Sequence, residues 1–204
     1  MAQLLLYTDR KMSILKEHSL FVKEKAFRFF NQYEIFDSSN RKIGHVQEAR
    51  KFLKKLIGKF ELDFYDGERI VVRAKKPFSI IRPKVYIYDA NDVFLGYFVK
   101  KIIAFRPRFY VYDANDVQIG MLEGDFIGWN FALHDKKEQM VVDVNKKFAG
   151  ILKEAFTTAD SYRMHFMESK TVDRRIALAV PFMVDILLKE RRRSSGMRHT
   201  YFRD

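Results

Sequence analysis

The sequence contains no cysteine among its 204 residues. Disulfides, zinc ribbons, thiol catalysis and palmitoylation are therefore excluded together. A long apolar run is also missing. The most apolar stretch, Ile176–Leu188, spans thirteen residues and contains Asp185. As a helix it would rise about 20 Å, well short of a hydrocarbon core about 30 Å thick. No transmembrane helix is expected. There is no G-x-S-x-G, no P-loop and no dinucleotide fingerprint. The five histidines, His18, His45, His134, His165 and His199, show no metal-ligand spacing. No catalytic residue, metal ligand or cofactor is implied, and the chain does not read as an enzyme. Leu4-Leu5-Leu6 runs at once into Asp9-Arg10-Lys11, so the apolar centre is too short for a secretory signal. The expected location is intracellular: cytoplasmic, or peripheral to the inner membrane face.

What the sequence has in excess is positive charge, 38 Lys+Arg against 26 Asp+Glu. The excess is not spread evenly. Residues 41–59 carry a net +6 and residues 189–204 a net +4, while 60–188 carry only +1. Such clusters suit an anionic partner: membrane lipid, nucleic acid or an acidic protein. Their alternative reading is a solvated face that keeps the protein soluble.

An internal repeat organises the middle of the chain. Tyr88-Asp89-Ala90-Asn91-Asp92-Val93 recurs as Tyr112-Asp113-Ala114-Asn115-Asp116-Val117, and more weakly as Phe36-Asp37-Ser38-Ser39-Asn40-Arg41. Seven residues after each leading Asp stands a glycine: Gly44, Gly96 and Gly120. The residues before each turn alternate, as in Val85-Tyr86-Ile87-Tyr88, which suits a pleated surface. Asp and Asn fold back on nearby backbone and tolerate left-handed geometry, so each copy reads as strand, turn, strand. The glycine marks a bulge or a close backbone approach. A calcium loop is excluded, because positions 5 and 6 counted from Asp89 are Val93 and Phe94. Degenerate copies surround Asp66-Gly67 and His134-Asp135. Strands are predicted at 27–36, 42–48, 60–66, 69–74, 78–82, 84–89, 94–100, 107–112, 117–123, 128–134, 139–145 and 161–167. About a dozen short strands at near-regular spacing indicate a mostly β barrel or sandwich. Tyr86, Tyr88, Tyr110 and Tyr112 read as a barrel face, with a base-stacking platform as the alternative.

Two helices interrupt the alternation. Across Glu48–Lys59, Phe52, Leu53, Leu56 and Ile57 form one stripe, with Arg50, Lys51, Lys54, Lys55 and Lys59 around it. This is a short basic amphipathic helix, suited to packing on the barrel or to lying on an anionic surface. The second helix is predicted at 173–191. Ile176, Leu178, Val180, Phe182, Val184 and Leu187 belong to a segment apolar on every side, and such a helix is buried in protein. A β-rich chain with one such helix suggests a barrel closed around it. Asp173 or Thr171 suits its N-cap. Asp185, if buried within it, requires a basic side chain or backbone donors.

These residues together resemble the phospholipid scramblase and LURP-one-related family, whose fold is tubby-like. The resemblance is carried by Tyr33-Glu34-Ile35-Phe36-Asp37 with Gly44 behind it, by the Tyr-Asp-Ala-Asn-Asp hairpins, by Phe156-Thr157-Thr158-Ala159-Asp160-Ser161-Tyr162, and by Asp173-Arg174-Arg175-Ile176-Ala177-Leu178-Ala179 with Asp185. It implies a closed barrel of twelve strands around a C-terminal hydrophobic helix. The implied layout is an N-terminal extension at 1–19, the barrel domain at 20–190 and a basic tail at 191–204. The calcium segment of animal scramblases would fall on Thr158–Ser169, where only Asp160 keeps an acidic position, so calcium binding is not expected. Tubby domains bind phosphoinositides through basic surface residues. The combined reading is a non-catalytic barrel that associates peripherally with anionic lipid headgroups. Its candidate contacts are Arg50, Lys51, Lys54, Lys55, Lys59, Arg191, Arg192 and Arg193. The alternatives are a nucleic-acid-binding module and a soluble protein-interaction module.

Overall fold

The computed structural model describes residues 13–26, 31–48, 60–79, 83–100, 108–125, 130–146 and 161–184. Within them twelve antiparallel strands form one closed barrel. They are β1 (Ser19–Ala26), β2 (Asn31–Phe36), β3 (Lys42–Glu48), β4 (Phe60–Asp66), β5 (Arg69–Lys76) and β6 (Lys84–Asp89). The second half is β7 (Phe94–Lys100), β8 (Phe109–Asp113), β9 (Gln118–Asp125), β10 (Asn130–Asp135), β11 (Met140–Asn145) and β12 (Ser161–Phe166). Each strand pairs with its neighbours in sequence, and β1 closes the ring on β12 in the register Leu20↔Met164, Val22↔Tyr162. Closure leaves no strand edge exposed.

The barrel interior is a protein core. Period-two alternation sends Leu62 and Phe64, Val85 and Ile87, Val142 and Val144 inward, all at most 1% exposed. Residues 174–184 form the helix α1, which runs through this interior. Ile176, Leu178, Val180, Phe182 and Val184 are all at most 1% exposed. The Phe182 ring meets Tyr33 of β2 and Phe64 of β4 edge-on, with centroids 4.9 and 5.0 Å away, and Tyr162 of β12 at 6.3 Å. Strands from distant parts of the chain thus converge on one helical side chain. The expected barrel around an apolar helix is the observed one. Asp185 and Leu187 lie outside the described residues.

Strand prediction failed at two places. No strand forms at 77–79, and 80–82 lie outside the described residues. Pro77 and Pro83 bracket that apolar stretch, and neither has an amide to give to a ladder. The missing twelfth strand is β1, whose sequence turns from Leu20-Phe21-Val22 to the charged Lys23-Glu24-Lys25 and so resembles surface. Of the expected strand 27–36, Asn31–Phe36 is observed as β2, and 27–30 lie outside the described residues. Ile14, in the segment read as an extension, is fully buried.

The repeat glycines are sites of close backbone approach. A Cβ on Gly44 would lie 2.3 Å from the Tyr65 carbonyl oxygen, on Gly96 2.1 Å from that of Tyr112, and on Gly120 2.7 Å from that of His134. In each case the obstacle is the next strand of the barrel. Each hairpin also carries a register shift, as between Ile87 and Tyr88, so both devices anticipated for the glycine are present. Gly96→Ala is expected to cost several kcal/mol, because the obstacle is backbone and its φ is +153°. Gly67→Ala, with φ +57° but nothing within 4 Å, is expected to cost only about 1 kcal/mol. Urea denaturation of the two variants checks the order.

Candidate functional site

Antiparallel order gives the barrel two unlike ends. At the turn end lie the five tight turns, β2–β3, β4–β5, β6–β7, β8–β9 and β10–β11, and the start of α1. At the far end lie the strand termini that flank segments 27–30, 49–59, 80–82, 101–107, 126–129 and 147–160. Since α1 starts at the turn end, residue 184 points the chain toward the far end.

Four of the turns share one construction. The Oδ1 atoms of Asp37, Asp89, Asp113 and Asp135 each accept the amides two and four residues on, at 2.8–3.0 Å. The fourth residue of each, Asn40, Asp92, Asp116 or Glu138, is left-handed, with φ between 58° and 63°. The Asp side chain replaces the backbone acceptors that the tight reversal removes. Burial pushes the Asp37 carboxyl up, but the Arg41 and Ser39 amides and the Arg41 guanidinium outweigh it and hold it below the usual range.

The start of α1 is latched to this rim. Asp173 is the N-cap: its Oδ1 accepts the Arg175 amide at 2.8 Å, and its carbonyl accepts the Ile176 and Ala177 amides. Thr171, the other cap candidate, instead donates its hydroxyl to Asp135 Oδ2 at 3.0 Å. Arg175 grips Asp173 through Nε and Nη2 and reaches Asp89 of the β6–β7 turn at 3.5 Å. Arg174 lies flat over Phe166, its guanidinium carbon 3.4 Å from the ring centre, and donates to the Glu17 carbonyl. Burial pushes the Arg174 guanidinium down to about 10, which leaves it charged at neutral pH.

Beside this latch opens a cleft of about 670 Å³. Its apolar floor includes Val141, Phe166 and Ala177; Lys16, Lys137, Lys170 and Arg174 stand around it. Sequence reasoning missed it, since Lys16 and Arg174 are joined only by closure of β1 on β12. Its one visible signal was the capping pattern around Thr171 and Asp173.

The predicted lipid contacts Arg50, Lys51, Lys54, Lys55, Lys59, Arg191, Arg192 and Arg193 all lie outside the described residues. So do Thr158 and Asp160 of the calcium segment. Ser169, at its other end, accepts the Thr171 and Val172 amides with its hydroxyl oxygen. Among the described residues no group of three or more His, Cys, Asp or Glu side chains gathers in metal-ligating geometry. The tyrosines of the repeated hairpins sit on the outer face: Tyr97 lies 5.9 Å from Tyr86 and stacks on Tyr112 at 4.9 Å, with Lys84 over its ring and Lys75 over Tyr88.

A family model for Scramblase matches residues 6–191. The chain belongs to the Scramblase family. An Arabidopsis thaliana protein solved by X-ray crystallography has a similar fold, with a TM-score of 0.53 at 13% identity, covering 83% of this chain and 91% of that one. At that identity the likeness shows the fold alone, and the fold is the tubby-like, LURP-one class of barrel. No curated protein matches the chain. In this Scramblase-family barrel the helix is the plug, and the rim latch holds it.

The latch makes stability depend on pH. Burial raises the Asp173 carboxyl, but the Arg175 guanidinium and amide outweigh this, so its folded pKa lies below 3.8. A depressed folded pKa gives stability that is complete above the unfolded value and is lost as pH falls through the folded one. Asp173→Asn is therefore expected to be less stable at neutral pH and to lose less between pH 5 and pH 2 than the parent. Thermal melts across that range check it.

Proposed function

We propose that this Scramblase-family barrel is a non-catalytic module that associates peripherally with anionic membrane lipids through its basic segments 41–59 and 189–204. The observation that carries this reading joins topology to charge. The strand ends flanking 49–59 and the exit of α1 toward 185–204 belong to the same end of the barrel. The segments that begin or end there, 27–30, 49–59, 80–82, 101–107, 126–129, 147–160 and 185–204, hold 17 Lys+Arg against 5 Asp+Glu. Their net +12 equals that of the whole chain. The basic residues at 50–59 and 189–204 thus belong to segments joined to the barrel at one end, which suits a flat anionic surface, while Arg41 and Lys42 of the first cluster lie at the turn end, paired with Asp37 and Glu34.

A peripheral mode fits the rest of the molecule. Among the described residues no helix is long and apolar enough to cross a membrane. Outward strand positions carry ion pairs, Arg73–Asp63 at 3.6 Å and Arg163–Asp143 at 3.4 Å, where a membrane-spanning barrel needs an apolar band. On this reading the protein works at the inner membrane face.

Co-sedimentation with vesicles tests it. Recovery with phosphatidylserine-containing vesicles should exceed that with neutral ones and fall as salt rises. Replacing Lys51, Lys54 and Lys55 by Ala should weaken binding about a hundredfold, from about 1 kcal/mol for each basic residue. Equal recovery with neutral and anionic vesicles contradicts the proposal. Retention of nucleic acid with a steep salt dependence, without vesicle binding, replaces it by the nucleic-acid reading.

A further inference from the structure

The cleft at the turn end is separate from the basic far end and raises a different question. Lys16, Lys137 and Lys170 are exposed and have no ion pair among the described residues. The Nε of Arg174 is buried without a hydrogen-bond partner. Elsewhere the guanidinium groups of Arg41, Arg73, Arg108, Arg163 and Arg175 each have a carboxylate within 3.6 Å. Three carboxylates face the four cations of the cleft: Asp135, whose charge lies near Lys137, Glu168 on the cleft wall, and Glu17, whose charge lies near Arg174, so one positive charge is in excess.

We propose that this cleft binds a small soluble organophosphate with an apolar body. Arginine and lysine from four separate elements supply the charge-assisted donors that phosphate oxygens accept. The floor of Val141, Phe166 and Ala177 supplies an apolar surface next to them. A volume of about 670 Å³ is in the range of small-molecule sites. The soluble source is favoured over a lipid headgroup by position. The cleft lies at the turn end, a full strand length from the basic far end, so a barrel resting on lipid by its far end holds the cleft away from the bilayer. Such a ligand would touch the α1 start, the β12 end and the β10–β11 turn together, and so bind the plug to its rim.

The test is an amide NMR titration of the full chain with hexyl phosphate, with inorganic phosphate, with hexanol and with vesicles containing phosphatidic acid. Hexyl phosphate should shift amides at 137–141 and 167–177 and bind more tightly than phosphate or hexanol. The double variant Lys137→Glu, Lys170→Glu should bind at least about tenfold more weakly while keeping its other amide positions. Lys136→Glu, on the same turn but outside the cleft, should bind as the parent does. Absence of cleft shifts with hexyl phosphate overturns the proposal, as does unchanged affinity in the double variant. Cleft shifts produced only by the phosphatidic acid vesicles overturn the soluble source and, by placing the turn end on lipid, count against the far-end membrane reading too. Failure of vesicle binding alone leaves the cleft proposal standing, so the two readings fail separately.

Discussion

Everything in this molecule depends on one helix that has no polar face. Residues 176–184 offer solvent nothing to hydrogen-bond, so the helix is stable only where protein surrounds it. Twelve strands supply that surrounding, and the helix in turn fills a barrel that would otherwise be hollow. Neither part is a folding unit without the other. The contacts of Phe182 with β2, β4 and β12 show this mutual dependence at a single side chain.

A barrel that wraps a helix must turn tightly and bring adjacent backbones close. The chain solves both demands with one cassette: an aspartate that caps its own turn, a left-handed residue three positions later, and a glycine that lets the next strand approach. Because every such turn lies at the same end, that end is short, rigid and rich in carboxylates already engaged by amides. The positive charge is displaced to segments that begin at the opposite end. The two ends are therefore chemically different before any ligand is considered, and the two functional proposals follow from that difference.

Much of the fold was legible because its determinants are local. Period-two alternation placed most strands, the Asp-to-Gly cassette placed the hairpins, and an apolar stretch too short for a bilayer identified the plug. The two errors also have local causes. Lys23-Glu24-Lys25 hid β1 behind a surface-like composition, and the apolar stretch entered at Phe78 read as a strand although Pro77 precedes it and no strand forms at 77–79. The cleft was illegible for a different reason. Lys16, Lys137, Lys170 and Arg174 share no spacing, and they become neighbours only because β12 pairs with β1 on one side and β11 on the other.

Native-state hydrogen exchange at residues 176–184, with and without anionic vesicles, tests the central claim most directly. If the helix is the core of the barrel, its amides exchange only through global unfolding, with the same opening free energy as those of β4 and β12, and vesicles leave that value for the helix unchanged relative to the strands. Helix amides that open at much lower free energy than the strands, or that gain protection separately when vesicles are added, would show a helix that leaves the barrel and would contradict the account.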